Sequence, residues 1–208
     1  MKIVITAGPT REAIDPVRFL SNRSSGKMGY AIAEAAAGRG HEVCLISGPV
    51  ALAVPDGVRL ISVISAKDML DAVITEFQNC EVLIMAAAVA DWRPVNIAEH
   101  KLKKVQGRMS VELERTQDIL LRVAEIKQSQ IVVGFAAETR NLLEEARRKL
   151  KDKRLDMIVA NDVSRSDAGF GSDNNAVTFL TEHDTEALPL MKKNDVAAHL
   201  LDRVERLG

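Results

Sequence analysis

The chain has 208 residues, of which 47% are hydrophobic and 27% are charged, and its formal net charge is -1. A chain of this length and composition favours one globular domain with one sizeable core. Because it is nearly neutral, it lacks the basic field that recruits nucleic acid or an anionic membrane, and we expect neither as a partner.

The cysteines and the apolar runs indicate the compartment. Cys44 and Cys80 lie at the edges of apolar runs, too far apart for a Cys-x-x-Cys motif, and are expected to be reduced, buried thiols. The longest apolar run, residues 82–90, is about half of what a membrane span needs. Lys2 leads directly into a predicted strand, without a signal-type segment. We therefore expect a cytoplasmic protein.

Apolar runs and helical patterns alternate along most of the chain. The runs predict buried strands at residues 2–6, 42–47, 58–63, 81–89, 130–138 and 155–162. The helical patterns cover residues 26–38, 66–78, 116–127, 139–153 and 193–207. This alternation predicts an α/β fold with a Rossmann-like, doubly wound, mostly parallel sheet. No repeat or linker interrupts it, so residues 1–208 are predicted to form a single domain.

Two segments depart from the alternation. Within residues 100–116, polar and apolar residues alternate on either side of a Gln106-Gly107 turn, which predicts a β-hairpin flap projecting from the sheet. Residues 174–191 predict a second hairpin that turns at residues 182–185 and adds late antiparallel edge strands. Lysines on or before the flap could bind an anion or simply keep an exposed strand soluble; they are Lys101, Lys103 and Lys104.

Ligands of such a sheet bind outside the carboxyl ends of its strands. After the first strand comes a loop of about eighteen residues, longer than typical, which suggests function for Arg18 and Asn22. Ser24 or Ser25 is expected to cap the helix that begins near Gly26, leaving amide donors for an anion. An ordinary capped helix, a turn-forming asparagine and a solvated arginine are the alternatives.

Neither familiar phosphate-binding motif is satisfied here. A Walker loop needs Ser or Thr after its Gly-Lys pair, and Met28 stands there instead. A dinucleotide fingerprint needs three close glycines at the first turn, which offers only Gly8. An NAD(P)-dependent reductase remains the alternative function, disfavoured also because Tyr30 is followed four residues later by Glu34 rather than lysine.

Later strands supply further candidates. Asp91 follows the small residues 86–88 and could bind ribose hydroxyls or magnesium, or cap a turn. Lys149 and Lys153 share a helix face, where a solvated surface competes with a role in binding phosphates. Residues 169–175 form a turn-rich loop. No histidine clusters with other ligands at metal-binding spacing, so we expect no structural zinc site.

Six segments carry a common pattern in this order: TAGPTREAIDPVRFLSNRSSGKMG, AAVADWRP, KLKK, VGFAAET, ANDVS and GFGSDNN. Together they closely resemble phosphopantothenoylcysteine synthetase, a bacterial family of coenzyme A biosynthesis, over nearly the whole chain. The resemblance implies a homodimer and a two-step ligation. The carboxylate of 4'-phosphopantothenate first attacks the α-phosphorus of CTP with Mg²⁺ present, giving an acyl-cytidylate and pyrophosphate. The amine of L-cysteine then displaces CMP.

The resemblance also implies residue roles. Lys101 resembles the lysine that supports acyl-cytidylate formation, and Asn22, with Arg18, resembles the residue that holds this intermediate for cysteine. The hairpin after Lys101 resembles a flap that reaches across the dimer. The residues similar to the CTP-contacting set are Asp91, Lys101, Gln117, Asp118, Ile119, Leu120, Phe135, Lys149 and Lys153. Those similar to the walls around the intermediate are Ser24, Ser25, Gly26, Ala86, Ala87 and Ala88. The direct metal ligands stay unassigned.

The family usually has Asn-Pro-Asp where this chain has Thr116-Gln117-Asp118. Gln117 stands where the family has proline, before Asp118. The missing proline reduces the preorganisation of the following helix and weakens the expected contact at Gln117. In many bacteria this synthetase follows a flavin-dependent decarboxylase in one polypeptide. We expect either a separated part of such a protein or a standalone enzyme, with a decarboxylase fused or associated.

Overall fold

A computed structural model describes residues 1–103, 108–138, 141–162 and 171–208. Its strands are β1 (Lys2–Ala7), β2 (Arg11–Ala13), β3 (Phe19–Ser21), β4 (Glu42–Ser47), β5 (Val58–Ser62), β6 (Val82–Met85), β7 (Trp92–Pro94), β8 (Leu113–Arg115), β9 (Ile131–Glu138), β10 (Met157–Asp162), β11 (Asn174–Asn175), β12 (Val177–Leu180), β13 (Thr185–Ala187) and β14 (Met191–Lys192). Its helices are α1 (Lys27–Gly38), α2 (Ala66–Phe77), α3 (Ile119–Ile126), α4 (Leu142–Asp152) and α5 (Lys193–Leu207).

The main sheet has the strand order β13-β12-β10-β9-β6-β1-β4-β5. Strands β5, β4, β1, β6, β9 and β10 pair in parallel, whereas β12 and β13 add antiparallel pairs at one edge. In chain order the parallel strands run 3-2-1-4-5-6 across the sheet, which is the Rossmann arrangement. The predicted fold class is confirmed, and the order reverses between β1 and β6.

Two hydrophobic cores cover the two faces of this sheet. Successive side chains of a strand point to opposite faces, so Ile3 and Ile5 join one core and Val4 joins the other. The first core includes the buried faces of α1 and α5. The second includes those of α2, α3 and α4. Burial on both faces explains why these strands read as continuous apolar runs.

The predicted strand at residues 81–89 is shorter in the structure. Strand β6 ends at Met85, and the chain then leaves the sheet, although Ala88 forms an isolated bridge with Pro9, just after β1. The helix predicted at residues 116–127 begins later, because Asp118 is its N-cap and accepts a hydrogen bond from the Leu121 amide. Among the described residues, no helix is long and apolar enough to cross a membrane.

The antiparallel arm differs from the predicted pairing within residues 100–116. Strand β8 pairs instead with β7, and an Arg93–Glu114 ion pair of 2.7 Å crosses the two strands. Residues 100–103 form no strand, and the predicted turn at Gln106-Gly107 lies outside the described residues, as does Lys104. The second predicted hairpin is present as β12 and β13, which extend the main sheet.

Candidate functional site

A cleft opens at the carboxyl edge of the sheet, where the strand order reverses between β1 and β6. It consists of two adjoining cavities of about 390 Å³ and about 420 Å³. Ala87, Val89, Asp91 and Phe135 line both cavities. This is the edge at which open α/β sheets bind their ligands, at the point where the strand order reverses.

Most of the predicted site residues line this cleft. The first cavity is lined by Asn22, Ser24, Ser25, Gly26, Ala86, Ala87, Ala88, Asp91, Phe135 and Lys149. The second is lined by Asp91, Gln117, Asp118, Ile119, Leu120, Phe135 and Lys153. Arg18 and Lys101 lie outside the lining of both cavities.

Helix α1 points its N-terminus into the first cavity. Neither Ser24 nor Ser25 is its N-cap, which is a difference from the prediction. Gly26 takes that position in the left-handed region (φ 78°), and it provides no capping side chain. The Ser24 hydroxyl instead accepts a hydrogen bond from the Gly26 amide at 3.3 Å. The first-turn amides therefore keep no side-chain cap from this position, which leaves them available to an anion.

Close packing places this helix end against strand β1. A Cβ on Gly29 would lie 2.6 Å from the Cβ of Ala7 and 2.9 Å from the Thr6 carbonyl oxygen. Only glycine permits such an approach. The first turn of α1 is thereby held at a set distance from the sheet edge.

Buried threonines hold the wall formed by residues 86–90. The Thr6 hydroxyl accepts a hydrogen bond from the Ala87 amide at 3.1 Å, and the Thr10 hydroxyl accepts one from the Ala90 amide at 2.9 Å. Both threonines are fully buried. The side-chain amide of Asn22 donates to the Ala88 carbonyl at 3.0 Å. Asn22 is thus anchored to the small-residue wall, and sequence reasoning did not find the two threonines.

Asp91, Phe135 and the α4 lysines define the junction of the cavities. The Asp91 carboxylate forms no hydrogen bond or ion pair with the rest of the described chain. Phe135 is half-buried beside the core. The Lys153 ammonium pairs with the Asp118 carboxylate at 2.7 Å, and Lys149 lines the first cavity. Both lysines therefore face the cleft, in contrast to the solvated-face alternative.

Sequence reasoning missed two lysines at the first cavity. The Lys27 ammonium contacts the Asp173 carboxylate at 2.7 Å and the Gly171 carbonyl at 3.1 Å. The Lys193 ammonium donates to the Ser172 carbonyl. Burial, reinforced by the charge of Lys27, lowers the pKa of Lys193. The turn-rich sequence of residues 169–175 was the available signal for these contacts. Residues 169–170 of this segment lie outside the described chain.

Asn161 was also missed as an individual residue. Its side-chain oxygen is buried and has no hydrogen-bond partner among the described residues. An unsatisfied buried acceptor costs about 1–3 kcal/mol, so it is normally paired. Because Asn161 lines the first cavity, a ligand that donates a hydrogen bond there would satisfy it.

Arg18 and Lys101 lie in a neighbouring region. The Arg18 guanidinium contacts the buried Asp15 carboxylate at 2.5 Å and the Leu102 carbonyl at 2.9 Å. The hydrogen bonds from this guanidinium, with those from the backbone amides of Val17, Leu102 and Arg18, hold the pKa of Asp15 well below the usual range. Lys101 is exposed and directly precedes Leu102 in the chain. Their assigned roles remain predictions.

The described residues contain no group of three or more His, Cys, Asp or Glu side chains that could hold a metal ion. Asp91 and Asp118 are the carboxylates that line the two cavities. Magnesium is commonly held by one or two carboxylates together with substrate phosphates, so this sparse set fits a magnesium ion that arrives with a nucleotide.

Residues 1–207 match a family described as the DNA/pantothenate metabolism flavoprotein C-terminal domain. The coenzyme A biosynthesis bifunctional protein CoaBC of Bacillus subtilis (strain 168) is 52% identical over 208 residues, which cover 99% of this chain and 51% of that protein. The protein of the same name from Escherichia coli (strain K12) is 47% identical over 208 residues, which cover 98% of this chain and 51% of that protein. The chain thus spans about half the length of the curated relatives it matches.

Solved structures show the same fold. The crystal structure of the C-terminal domain of CoaBC superposes with a TM-score of 0.85 at 48% identity, covering 99% of this chain and 94% of that one. The DNA/pantothenate metabolism flavoprotein from Streptococcus pneumoniae gives a TM-score of 0.87 at 26% identity, covering both chains fully at 100%. The resemblance found in the sequence is confirmed, and the chain belongs to the DNA/pantothenate metabolism flavoprotein C-terminal domain family.

Proposed function

We propose that the chain is a ligase of coenzyme A biosynthesis that joins 4'-phosphopantothenate to L-cysteine through an acyl-cytidylate, consuming CTP. The main support is the convergence of the residues assigned to CTP and to the intermediate, other than Lys101 and Arg18, on one cleft in a chain of this family. The relatives named for coenzyme A biosynthesis support the pathway. A protein of this fold, Cab2 H337A, is described as a complex with phosphopantothenate-cysteine, although at 17% identity it supports the fold alone.

The first cavity suits the phosphates of a nucleoside triphosphate. The free amides of α1 provide donors and the positive end of a helix dipole. Lys27, Lys149 and Lys193 surround the same space and would offset the charge of the phosphates. The Asn161 oxygen could accept a hydrogen bond from the nucleotide. Mg²⁺ would arrive as the CTP complex, with Asp91 as the nearby carboxylate.

The proposed reaction activates a carboxylate, which by itself reacts poorly with an amine. Its oxygen attacks the α-phosphorus of CTP, the bond to the β-phosphate breaks, and pyrophosphate leaves with the electron pair. The cysteine amine then attacks the acyl carbon, CMP leaves, and the amine loses a proton as the amide forms. Holding both reactants in one cleft supplies the proximity. Lys101 is proposed to support the first step, and Asn22 to hold the intermediate against the wall at Ala88.

We further propose a homodimer. Large apolar side chains are exposed on the two-stranded sheets β2-β3 and β7-β8 and on the adjoining loops, including Val17 (57%), Phe19 (45%), Trp92 (46%) and Ile97 (62%). Such a concentration of apolar surface is typical of an interface. Arg18 and Lys101 lie outside the cleft of their own chain, which fits a flap that reaches the cleft of a second copy. An Ile97→Glu variant is expected to shift the mass measured by light scattering from dimer toward monomer.

A flavin-dependent decarboxylase is the proposed fused or associated partner, because the relatives are named bifunctional proteins. The cytoplasmic location stays a prediction. No feature of the described cleft favours the NAD(P)-dependent reductase, and a lack of NADPH binding in a fluorescence titration would dispose of it.

The ligase assignment is tested by incubating the chain with 4'-phosphopantothenate, L-cysteine, Mg²⁺ and either CTP or ATP. We expect pyrophosphate release with CTP that depends on phosphopantothenate, and amide formation only when cysteine is added. Release with ATP alone would overturn the choice of nucleotide. Absence of release with both nucleotides would overturn the ligase assignment.

A further inference from the structure

Asp15 connects two segments that carry proposed site residues. Its side chain is fully buried, at 0% exposure. One carboxylate oxygen accepts hydrogen bonds from the backbone amides of Val17 and Arg18, at 2.9 and 2.8 Å. The other accepts from the Arg18 guanidinium, at 3.0 and 2.5 Å, and from the Leu102 amide, at 3.1 Å. The last contact joins positions that are 87 residues apart.

These contacts hold down the segment that contains Lys101. The Leu102 carbonyl accepts a hydrogen bond from the same Arg18 guanidinium, so Leu102 is held through both its amide and its carbonyl. Four residues earlier, the Ala98 amide donates to the Ile14 carbonyl at 3.0 Å. Residues 98–103 belong to no strand, so these side-chain and backbone contacts replace the hydrogen bonds that a sheet would supply.

We propose that Asp15 is a positioning residue, which sets the place of Lys101 and of Arg18 for the ligation by fastening the Leu102 backbone to the loop before β3. This inference rests on the proposed function, in which Lys101 acts on the nucleotide. Lys101 itself is exposed, and its neighbour in the chain is the anchored residue. A long lysine side chain is useful to a transition state only if its backbone is held, because small displacements of a reacting group lower the rate strongly.

Trypsin reports on this anchor without any substrate. The bond between Lys101 and Leu102 is a tryptic site, and its amide is the group that Asp15 accepts. A protease needs a locally opened, extended segment, so cleavage here follows the opening of the anchor. In Asp15→Asn, the acceptor charge is lost, and we expect cleavage after Lys101 to accelerate about tenfold, as mapped by mass spectrometry of the first products.

The matched control is Asp71→Asn, which removes the same charge from an exposed ion pair with Lys67 on α2. It should leave both cleavage and ligation unchanged. In Asp15→Asn we expect the kcat for pyrophosphate release to fall about 100-fold while the KM for CTP changes little, because the misplaced group acts in the transition state. If Asp15→Asn does not fold, Leu102→Pro is used instead, because it removes the Leu102 amide that donates to Asp15. Trypsin does not cut before proline, so cleavage is then followed after Lys103.

The outcomes separate this inference from the function on which it rests. If cleavage after Lys101 is no faster in Asp15→Asn than in wild type, Asp15 does not anchor this segment. Faster cleavage with wild-type kcat would overturn positioning, because the segment would then be free without consequence. A wild-type chain that releases no pyrophosphate would overturn the proposed ligase, while faster cleavage in Asp15→Asn would still support the anchor.

Discussion

Gly29→Ala should affect stability and catalysis together. The added Cβ would lie 2.6 Å from the Cβ of Ala7, whereas ordinary contacts begin at 3.4 Å, so the helix must move by about 1 Å. Overpacking costs about 1–3 kcal/mol, and alanine returns about 1 kcal/mol of helix propensity. We expect a net loss of about 1 kcal/mol, which lowers Tm by about 2–4 °C. Moving the α1 amides by this distance should reduce kcat/KM for CTP about 100-fold.

The same helix contains a matched control. Gly38 ends α1 and has no atom within 4 Å of an added Cβ, so Gly38→Ala should retain activity and gain up to about 1 kcal/mol of stability. Thermal unfolding and initial rates of pyrophosphate release, measured on both variants, compare the two positions. If Gly29→Ala matched Gly38→Ala in Tm and in kcat/KM, the close approach of α1 to β1 would have no bearing on the site.

Four further outcomes are expected. Asn22→Asp replaces the amide that donates to Ala88 with a carboxylate, so pyrophosphate should still form while amide product falls sharply; equal loss of both would contradict the division of the two steps. Burial raises the pKa of Cys44 to about 11 and that of Cys80 to about 12, so neither thiol should react with Ellman's reagent at pH 8 until the protein unfolds. Because the pKa of Asp15 is lowered in the folded protein, its ionised carboxylate stabilises the fold at pH values above its ordinary pKa of 3.8. This stabilisation is lost progressively as the pH falls below 3.8, so the Tm difference between wild type and Asp15→Asn should be constant near neutrality and shrink below that pH. A bound triphosphate should raise the lowered pKa of Lys193, so calorimetry in buffers of different ionisation enthalpy should show proton uptake on CTP binding at alkaline pH; the same uptake in Lys193→Met would refute this source.

Much of the fold could be predicted because the sheet is buried on both faces. Runs such as residues 42–47 leave no alternative to a central strand, and the helices between them force parallel crossovers. The same logic located the cleft, since parallel strands end at one edge. Local patterns failed for β8, because alternation within residues 100–116 indicates that a strand exists but not that its partner is β7, which lies outside that segment.

The cap of α1 shows a second limit. Ser24 and Ser25 are good capping residues by composition, but the choice of cap depends on backbone angles that the sequence does not state. The left-handed conformation falls on Gly26, the residue that adopts it without steric penalty. Thr6 and Thr10 were missed for a related reason: buried threonines in apolar runs look like core residues until the wall that they support is seen.

The near-neutral composition is compatible with a strongly anionic ligand because the compensating charge is local. Four lysines line the two cavities, Lys27, Lys149, Lys153 and Lys193, against the two carboxylates of Asp91 and Asp118. Lys27 and Lys193 both contact residues 171–173, whose oxygens hold the two like charges near one another. A triphosphate would supply many more negative charges than that loop does. Since exposed charges are screened within about 8–10 Å at physiological salt, affinity for the nucleotide depends on these neighbours and not on the net charge of -1.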